Sequence, residues 1–169
     1  MDLETFKQQV PLPLRVCTLV LLIRGDEVLL AMKKRDFGKG WWNGVGGKLD
    51  PGEAVLSGAV REAGEEIEVV IEEKDLEPVA TIDFYFPHIP ENSQRVEVFL
   101  CHQWDGEPQE SDEMAPHWFP TTKLPLDDMW PGDNLWMPRV LLGQTGAGEI
   151  MFNSKSHPEP VADSKINLS

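Results

Sequence analysis

Residues 47–69 read GKLDPGEAVLSGAVREAGEEIEV, and this stretch organises the interpretation of the whole chain. Its apolar residues recur at helical spacing, which predicts a helix from Ala54 to Ile67. Positions i, i+3 and i+4 of a helix share one face, so Glu62, Glu65 and Glu66 are expected to converge within one turn. Such a cluster is favourable where a divalent cation neutralises it, and carboxylate oxygens favour Mg²⁺ or Mn²⁺ over zinc. The alternative is a solvated acidic helix face.

The remaining sequence predicts one mixed α/β domain. A glycine-rich loop over residues 38–52 precedes the helix, and a second helix is expected from Asp133 to Leu142. Hydrophobic stretches and alternation predict strands at residues 16–23, 27–32, 79–86 and 96–104. A length of 169 residues suits one domain.

The two ends of the chain are interpreted separately from this domain. Residues 1–14 contain Pro11 and Pro13 and are expected to form a loose N-terminal lead-in. Residues 153–169 show no periodicity and are expected to be a disordered tail. The folded domain is therefore expected to span residues 15–152.

Composition excludes several classes of function. A net charge of −14 argues against a long nucleic acid as partner, because its backbone requires a basic face. A small phosphate ligand would need bound cations to bridge it to carboxylates. The longest apolar run, Val16 to Ile23, is too short to span a bilayer, and the acidic start gives no secretion signal. Cys17 and Cys101 form no ligand pattern and are expected to be reduced core thiols of a cytoplasmic protein.

One motif links the glycine loop to the acidic helix. The pattern Gly47-x5-Glu53-x7-Arg61-Glu62-Ala63-x-Glu65-Glu66 resembles the Nudix box. The resemblance implies a Nudix α/β/α sandwich with a mixed sheet, and a loop-helix-loop whose acids bind Mg²⁺, for which Mn²⁺ can substitute. It implies an electrostatic role for Glu53 and Arg61. Metal ligation is implied for a set of five residues, namely Gly46 through its carbonyl, Glu62, Glu65, Glu66 and Glu113.

Segments outside the box are similar to the MutT type of Nudix hydrolase, in particular to the mammalian MutT homologues. They are residues 32–35, 42–48, 110–114, 118–119 and 128–131. These enzymes hydrolyse oxidised purine nucleoside triphosphates such as 8-oxo-dGTP to the monophosphate and pyrophosphate, which removes damaged nucleotides from the pool used for DNA synthesis. The resemblance implies a purine nucleoside triphosphate as substrate and a monomer that needs no long nucleic acid and no membrane.

Carried over by position, the resemblance also implies a substrate pocket. Asn43 would bind the purine edge, Trp130 would stack on its face, and Asp133 would read its Watson–Crick edge. The other implied substrate-binding residues are Thr18, Lys33, Gly46, Gly47, Lys48, Phe84, Met114 and Phe152. A water would attack a substrate phosphorus, with Glu65, Glu66 or Glu113 as the base.

Two positions depart from the family pattern. Glu68 replaces the glycine that normally ends the helix in a left-handed conformation, at a cost of about 1 kcal/mol. Gly132 replaces the first of two adjacent aspartates that share a proton in the family. A lone Asp133 is expected to act only as an acceptor at neutral pH, which favours guanine-type over adenine-type edges.

Three alternatives stay open on sequence alone. A Nudix enzyme could act on another nucleotide, such as another or a methylated purine triphosphate, ADP-ribose or a dinucleoside polyphosphate. A Nudix fold could bind nucleotide without hydrolysing it. The acidic helix could also belong to an unrelated α/β binding protein.

Overall fold

The computed structural model describes residues 1–153 and 160–169. In this part of the chain there are three α-helices, α1 (Leu3–Lys7), α2 (Val55–Ile67) and α3 (Asp133–Leu141). The β-strands are β1 (Arg15–Arg24), β2 (Glu27–Lys33), β3 (Trp42–Asn43), β4 (Leu76–Tyr85), β5 (Gln94–Cys101), β6 (Met114–Pro120), β7 (Gly146–Phe152) and β8 (Val161–Leu168). Short 3₁₀ turns lie at Glu73–Asp75, Pro90–Asn92 and Leu126–Asp128.

The strands form one mixed sheet in the order β3-β2-β1-β5-β4-β7-β8, with β6 paired to β2. β1 pairs with β5 and β4 pairs with β7 in parallel, and the other named pairs are antiparallel. Six consecutive residues of β1, from Cys17 to Leu22, are buried. A strand buried on both faces reads as a continuous apolar run, which is how the sequence shows β1.

Helices cover both faces of the sheet. α3 packs Trp136, Met137 and Val140 into a core with alternate residues of β1, β4 and β5. α2 packs Ala59, Ala63 and Ile67 against the opposite face. The predicted α/β/α sandwich with a mixed sheet is confirmed, and its central strands position residues on both faces.

The predicted elements that were strongly periodic agree with the structure to within a few residues. The weaker strands β3, β6, β7 and β8 were not predicted. β6 contains Pro116 and ends at Pro120, while β7 begins Gly146-Ala147-Gly148, and neither composition is typical of a strand.

The prediction of a disordered tail over residues 153–169 is wrong for β8, which pairs antiparallel with β7 from Val161 to Leu168. β8 is an edge strand in which four of eight residues are polar, so its apolar alternation is weak, although Leu168 is buried. The part of that prediction at residues 154–159 lies outside the described residues.

The prediction of a loose lead-in over residues 1–14 is wrong for α1. Asp2 accepts a hydrogen bond from the backbone nitrogen of Thr5 at 2.8 Å and caps the helix. Leu3 and Phe6 are each only 3% exposed, and the Phe6 ring meets Tyr85 edge to face. Apolar burial against the sheet therefore orders a segment that is too short for a helical pattern.

α2 ends at the departure from the family pattern. Glu68 adopts the left-handed conformation, with φ 60° and ψ 31°, and its backbone nitrogen donates to the carbonyl of Gly64 at 3.1 Å. The helix end therefore keeps the geometry that glycine normally provides. This conformation is less favourable for Glu68 than for glycine, because the Cβ atom of a side chain is crowded in the left-handed region.

No helix within residues 1–153 and 160–169 combines the length and apolarity needed to span a membrane.

Candidate active site

Arg61 joins the glycine loop to α2. Its Nε donates to Glu53 Oε2 at 2.8 Å and its Nη2 donates to Glu53 Oε1 at 2.9 Å, which makes a bidentate ion pair. This pairing and the backbone nitrogen of Asp50 lower the pKa of Glu53 to about 2. The predicted electrostatic contact between Glu53 and Arg61 is therefore present, and it fixes the loop relative to the helix.

The same guanidinium organises two further carboxylates. Nη1 of Arg61 donates to Glu62 Oε1 and to Glu65 Oε2, both at 3.1 Å. The Glu65 side chain is 60% exposed and does not line the cavity described below. Glu62 and Glu65 therefore meet at one guanidinium nitrogen, but only Glu62 and Glu66 of the three predicted acids on this helix line the cavity.

Glu62 and Glu66 point under the glycine loop. A Cβ atom on Gly47 would lie only 2.7 Å from Glu62 Oε1, so a side chain at position 47 would displace this carboxylate. The backbone nitrogen of Gly46 donates to Glu66 Oε2 at 3.1 Å. Position 46 is restricted more severely, because a Cβ there would overlap the backbone carbonyl of Thr18.

Burial perturbs both carboxyl groups. Glu66 is only 4% exposed, and burial, followed by the charge of Glu62, raises its pKa. Burial also raises the pKa of Glu62. A half-buried carboxylate beside a buried one resists ionisation unless a cation compensates the pair, so Glu62 and Glu66 fit a divalent metal ion.

Glu113 approaches this pair from the loop before β6. It lines the same cavity and its charge adds to the raised pKa of Glu66. Its Oε1 accepts a hydrogen bond from Arg35 Nη2 at 2.9 Å. Across the described ranges, no three acidic, histidine or cysteine side chains stand in a ready-made metal cluster.

One cavity of about 660 Å³ is lined both by these carboxylates and by aromatic side chains such as Trp130 and Phe152. All eleven residues expected to bind substrate line it: Thr18, Lys33, Asn43, Gly46, Gly47, Lys48, Phe84, Met114, Trp130, Asp133 and Phe152. Glu62, Glu66 and Glu113 line it as well, whereas Glu53, Arg61 and Glu65 do not. The polar and aromatic candidates, far apart in sequence, therefore share one space.

Aromatic rings form the wall around Trp130. Ring centroids of Phe37, Phe152 and Phe86 lie 5.1, 5.9 and 6.2 Å from Trp130, and Trp41 stacks at 6.4 Å with a 30° interplanar angle. A flat heteroaromatic base suits such a wall, since stacking on an aromatic side chain contributes about 1–3 kcal/mol per base.

Asp133 stands at the first position of α3 and is only 2% exposed. Its Oδ1 accepts a hydrogen bond from Trp136 Nε1 at 3.1 Å, and its buried Oδ2 has no partner in the described part of the chain. Burial raises the pKa of Asp133 to about 7. The expectation of an acceptor-only carboxylate at neutral pH is thus corrected, because both protonation states are populated there.

The sequence did not single out several residues of this cavity. Arg15, Cys17, Gln94, Phe37, Trp41 and Phe86 also line it. The side chains of Arg15, Cys17 and Gln94 face the cavity because of the parallel pairing of β1 with β5. In this pairing Arg15 lies opposite Gln94, and Cys17 lies opposite Val96. That placement depends on strand register, which could have been inferred only after the pairing of β1 with β5 was known.

A wider cleft of about 880 Å³ lies beyond the C-terminal end of β1, beside Arg24, Trp104 and Lys74. It contains none of the residues singled out from the sequence. The smaller cavity combines buried carboxylates with an aromatic wall, so we identify it as the candidate active site.

Comparison with known proteins gives relatives over most of the chain. The NUDIX domain profile matches residues 13–140. The chain is 40% identical over 141 residues to the oxidized purine nucleoside triphosphate hydrolase of Mus musculus, covering 83% of this chain and 88% of the relative. It is 41% identical over 138 residues to the protein of the same name from Danio rerio, covering 82% and 86%.

Solved structures give the same fold. A MutT protein from Bacillus halodurans superposes with a TM-score of 0.75 at 22% identity, covering 92% of this chain and 97% of that one. A MutT NUDIX hydrolase from Burkholderia pseudomallei is 30% identical, with a TM-score of 0.59 over 66% of this chain and 86% of that one. Box spacing, fold and sequence similarity together place this chain in the Nudix hydrolase family.

Proposed function

We propose that this protein hydrolyses oxidised purine (deoxy)nucleoside triphosphates, such as 8-oxo-dGTP, to the monophosphate and pyrophosphate. The observation that supports this most directly is the single cavity that joins the carboxylates of Glu62 and Glu66 to an aromatic wall with a buried Asp133. A triphosphate with a purine base has the same division into a charged and a flat apolar part. The names of the relatives from mouse and zebrafish support the same substrate class.

The base would be held between polar and aromatic side chains. The Oδ1 atom of Asn43 accepts a hydrogen bond from the backbone nitrogen of Gly44 at 2.9 Å, which leaves its amide N–H groups for a ligand. Asp133 Oδ2 would donate or accept according to its protonation state. Trp130 would provide the stacking surface.

The phosphates would extend towards Lys33, Lys48 and the carboxylates of α2. Glu62 and Glu66, with Glu113 and the carbonyl of Gly46, would hold Mg²⁺ or Mn²⁺. When bound, the cation neutralises phosphate charge and lowers the pKa of a bound water. Glu66 and Glu113 line the cavity and Glu65 does not, which supports one of the first two as the base that accepts a proton from the attacking water.

A panel assay tests the function. Pyrophosphate release is measured with 8-oxo-dGTP, 2-hydroxy-dATP and dGTP, and nucleotide products with ADP-ribose and a dinucleoside polyphosphate. Each substrate is tested with Mg²⁺, with Mn²⁺ and with excess EDTA. We expect the highest kcat/KM for an oxidised purine triphosphate and no turnover in EDTA. A higher kcat/KM for ADP-ribose or the dinucleoside polyphosphate would reject the proposal in favour of that substrate.

Substitution of one carboxylate tests whether this cavity carries the reaction. Glu66→Gln is expected to leave less than about a tenth of kcat, because a neutral amide binds a divalent cation poorly and is no base. Glu77→Gln is the matched control, since Glu77 is exposed on β4 and outside the cavity. Retention of more than a tenth of kcat by a folded Glu66→Gln protein would place the chemistry elsewhere.

We further propose a cytoplasmic setting, which the free, buried thiols of Cys17 and Cys101 support. A monomer is expected, and light scattering coupled to size exclusion measures it directly.

A further inference from the structure

Gln94 is one of the residues that line the candidate substrate cavity. It is the first residue of β5, opposite Arg15 of β1 on one side and Phe84 of β4 on the other. The Phe84 ring stacks on Phe152 at 6.1 Å with an interplanar angle of 6°, and Phe152 contacts Trp130. Gln94 therefore places a polar amide beside the aromatic wall, at the end of the cavity proposed to hold the base.

Two neighbours fix which way this amide faces. Gln94 Oε1 accepts hydrogen bonds from Cys17 Sγ at 3.2 Å and from Arg15 Nη2 at 3.4 Å. A guanidinium can only donate, and burial raises the pKa of the Cys17 thiol, so the thiol keeps its proton and donates too. With two donors on one side, the oxygen must face them and the NH₂ group must face away.

Arg15 is itself anchored in this position. Its Nη2 also donates to the backbone carbonyl of Asn92 at 3.4 Å, in the turn that precedes β5. A donor that binds the amide oxygen draws electron density from the amide nitrogen and strengthens its N–H groups as donors.

The Nε2 atom of Gln94 has no hydrogen-bond acceptor among residues 1–153 and 160–169, and the side chain borders the cavity. Its N–H groups are therefore available to a ligand. Oxidation of guanine at C8 replaces the C8–H by a carbonyl oxygen and places a proton on N7. The oxidised base therefore offers a hydrogen-bond acceptor at position 8 that the ordinary base lacks, and it no longer has an acceptor at N7.

We propose that Gln94 is a specificity-determining residue that donates from Nε2 to the carbonyl oxygen which oxidation adds to the purine, and that Arg15 is its positioning residue. The proposal rests on the proposed function of the cavity. A site that offers a hydrogen-bond donor discriminates against a ligand that lacks the acceptor, because the donor is then left without a partner in a desolvated pocket.

The test compares kcat and KM for 8-oxo-dGTP and for dGTP in the wild type and in Gln94→Met. Methionine keeps the length of the side chain and removes its donors. We expect kcat/KM for 8-oxo-dGTP to fall about fivefold, mainly through KM, with dGTP changed less than about twofold. Gln103→Met is the matched control, because Gln103 is exposed and lines only the distant cleft. No loss, or an equal loss for both nucleotides, would overturn the proposal.

A second variant tests the proposal even if Gln94→Met does not fold. Gln94→Glu keeps the size, exchanges the donors for acceptors and can pair with Arg15, so it is expected to fold and to lose the same selectivity. Retained selectivity in Gln94→Glu would contradict donation from Nε2.

The positioning role is tested by a double-mutant cycle. Arg15→Met is expected to lower the preference for 8-oxo-dGTP over dGTP and to have no further effect in combination with Gln94→Met. Independent, multiplicative losses would show that Arg15 acts otherwise than through Gln94.

Binding without turnover separates this proposal from the proposed function. Calorimetry with 8-oxo-dGMP and dGMP measures the same preference in the absence of hydrolysis. If the wild type binds 8-oxo-dGMP with the Gln94-dependent preference but hydrolyses neither triphosphate, only the proposed function fails. If the wild type shows no preference for 8-oxo-dGMP, the role of Gln94 is rejected.

Discussion

Trp136 Nε1 donates a hydrogen bond to Asp133 Oδ1 over 3.1 Å within the first turn of α3, and both side chains are buried. This contact orients the carboxyl group so that the other oxygen, Oδ2, is left without a partner in the described part of the structure. The indole stabilises the ionised form, but burial has the larger effect and raises the pKa of Asp133 to about 7.

The first prediction concerns stability and pH. The pKa of Asp133 rises from 3.8 in the unfolded chain to about 7 in the folded protein. Between these values the unfolded chain has lost a proton that the folded protein keeps. The free energy of unfolding therefore falls as pH rises, by at most about 1.4 kcal/mol per pH unit for one group, and this contribution levels off above the folded pKa.

Asp133→Asn isolates this contribution from those of other carboxyl groups. Asparagine keeps an oxygen for the Trp136 indole and does not titrate. We expect the stability of the variant relative to wild type to increase by at least about 1 kcal/mol between about pH 5 and about pH 8. Urea denaturation at several pH values measures it. A constant difference across this range would show that Asp133 titrates like an exposed acid.

The second prediction concerns purine selectivity. The protonated carboxyl of Asp133 can donate to the acceptor N1 of an adenine-type edge, and the ionised form can accept from the N–H groups of a guanine-type edge. The ratio of kcat/KM for 2-hydroxy-dATP to that for 8-oxo-dGTP should fall as pH rises through about 7. In Asp133→Asn the ratio should be independent of pH. Ratios that change in parallel in both proteins would exclude Asp133 as the cause.

How far the sequence predicts this molecule depends on the kind of residue. The spacing of Glu53 and Arg61 along one segment was enough to predict the loop and the helix, because the ion pair between these two residues is local. The protonation of Asp133 was misjudged because burial is a property of the assembled core. The sequence did not predict that the Gln94 side chain lines the cavity. Its position depends on the parallel pairing of β5 with β1, a strand almost eighty residues away in sequence.

The ends of the chain show the same limit. α1 and β8 are too short or too polar to give a periodic pattern, and each is ordered by contacts with distant strands. The side chain of Phe6, for instance, is buried against Tyr85. Tertiary packing therefore decides the structure of segments whose intrinsic preferences are weak.

The third prediction concerns the absent second aspartate. Gly132 has φ +97°, and a Cβ there would lie 3.2 Å from side-chain atoms of both Ile150 and Val161. Gly132→Asp is therefore expected to destabilise the protein by about 1–3 kcal/mol through backbone strain and a similar amount through overpacking. Gly25→Asp is the control, because Gly25 has φ +61° with no atom within 4 Å, and it should cost only about 1 kcal/mol. Equal melting temperatures for the two variants would show that the core around Ile150 adapts to the added side chain.

The last prediction concerns the end of α2. Glu68 is exposed and left-handed at φ 60°, so Glu68→Gly relieves strain of about 1–2 kcal/mol and loses about 0.5–1 kcal/mol through the greater flexibility of the unfolded chain. The net expectation is a stabilisation of about 0.5–1 kcal/mol, or roughly 1–4 °C in Tm. Glu72→Gly is the matched control, because Glu72 is also exposed but has φ −89°, where glycine relieves no strain and brings the entropic loss together with the loss of an exposed ion pair to Lys74. Calorimetry should therefore show the two variants moving Tm in opposite directions, and a lower Tm for both would mean that Glu68 carries no conformational strain.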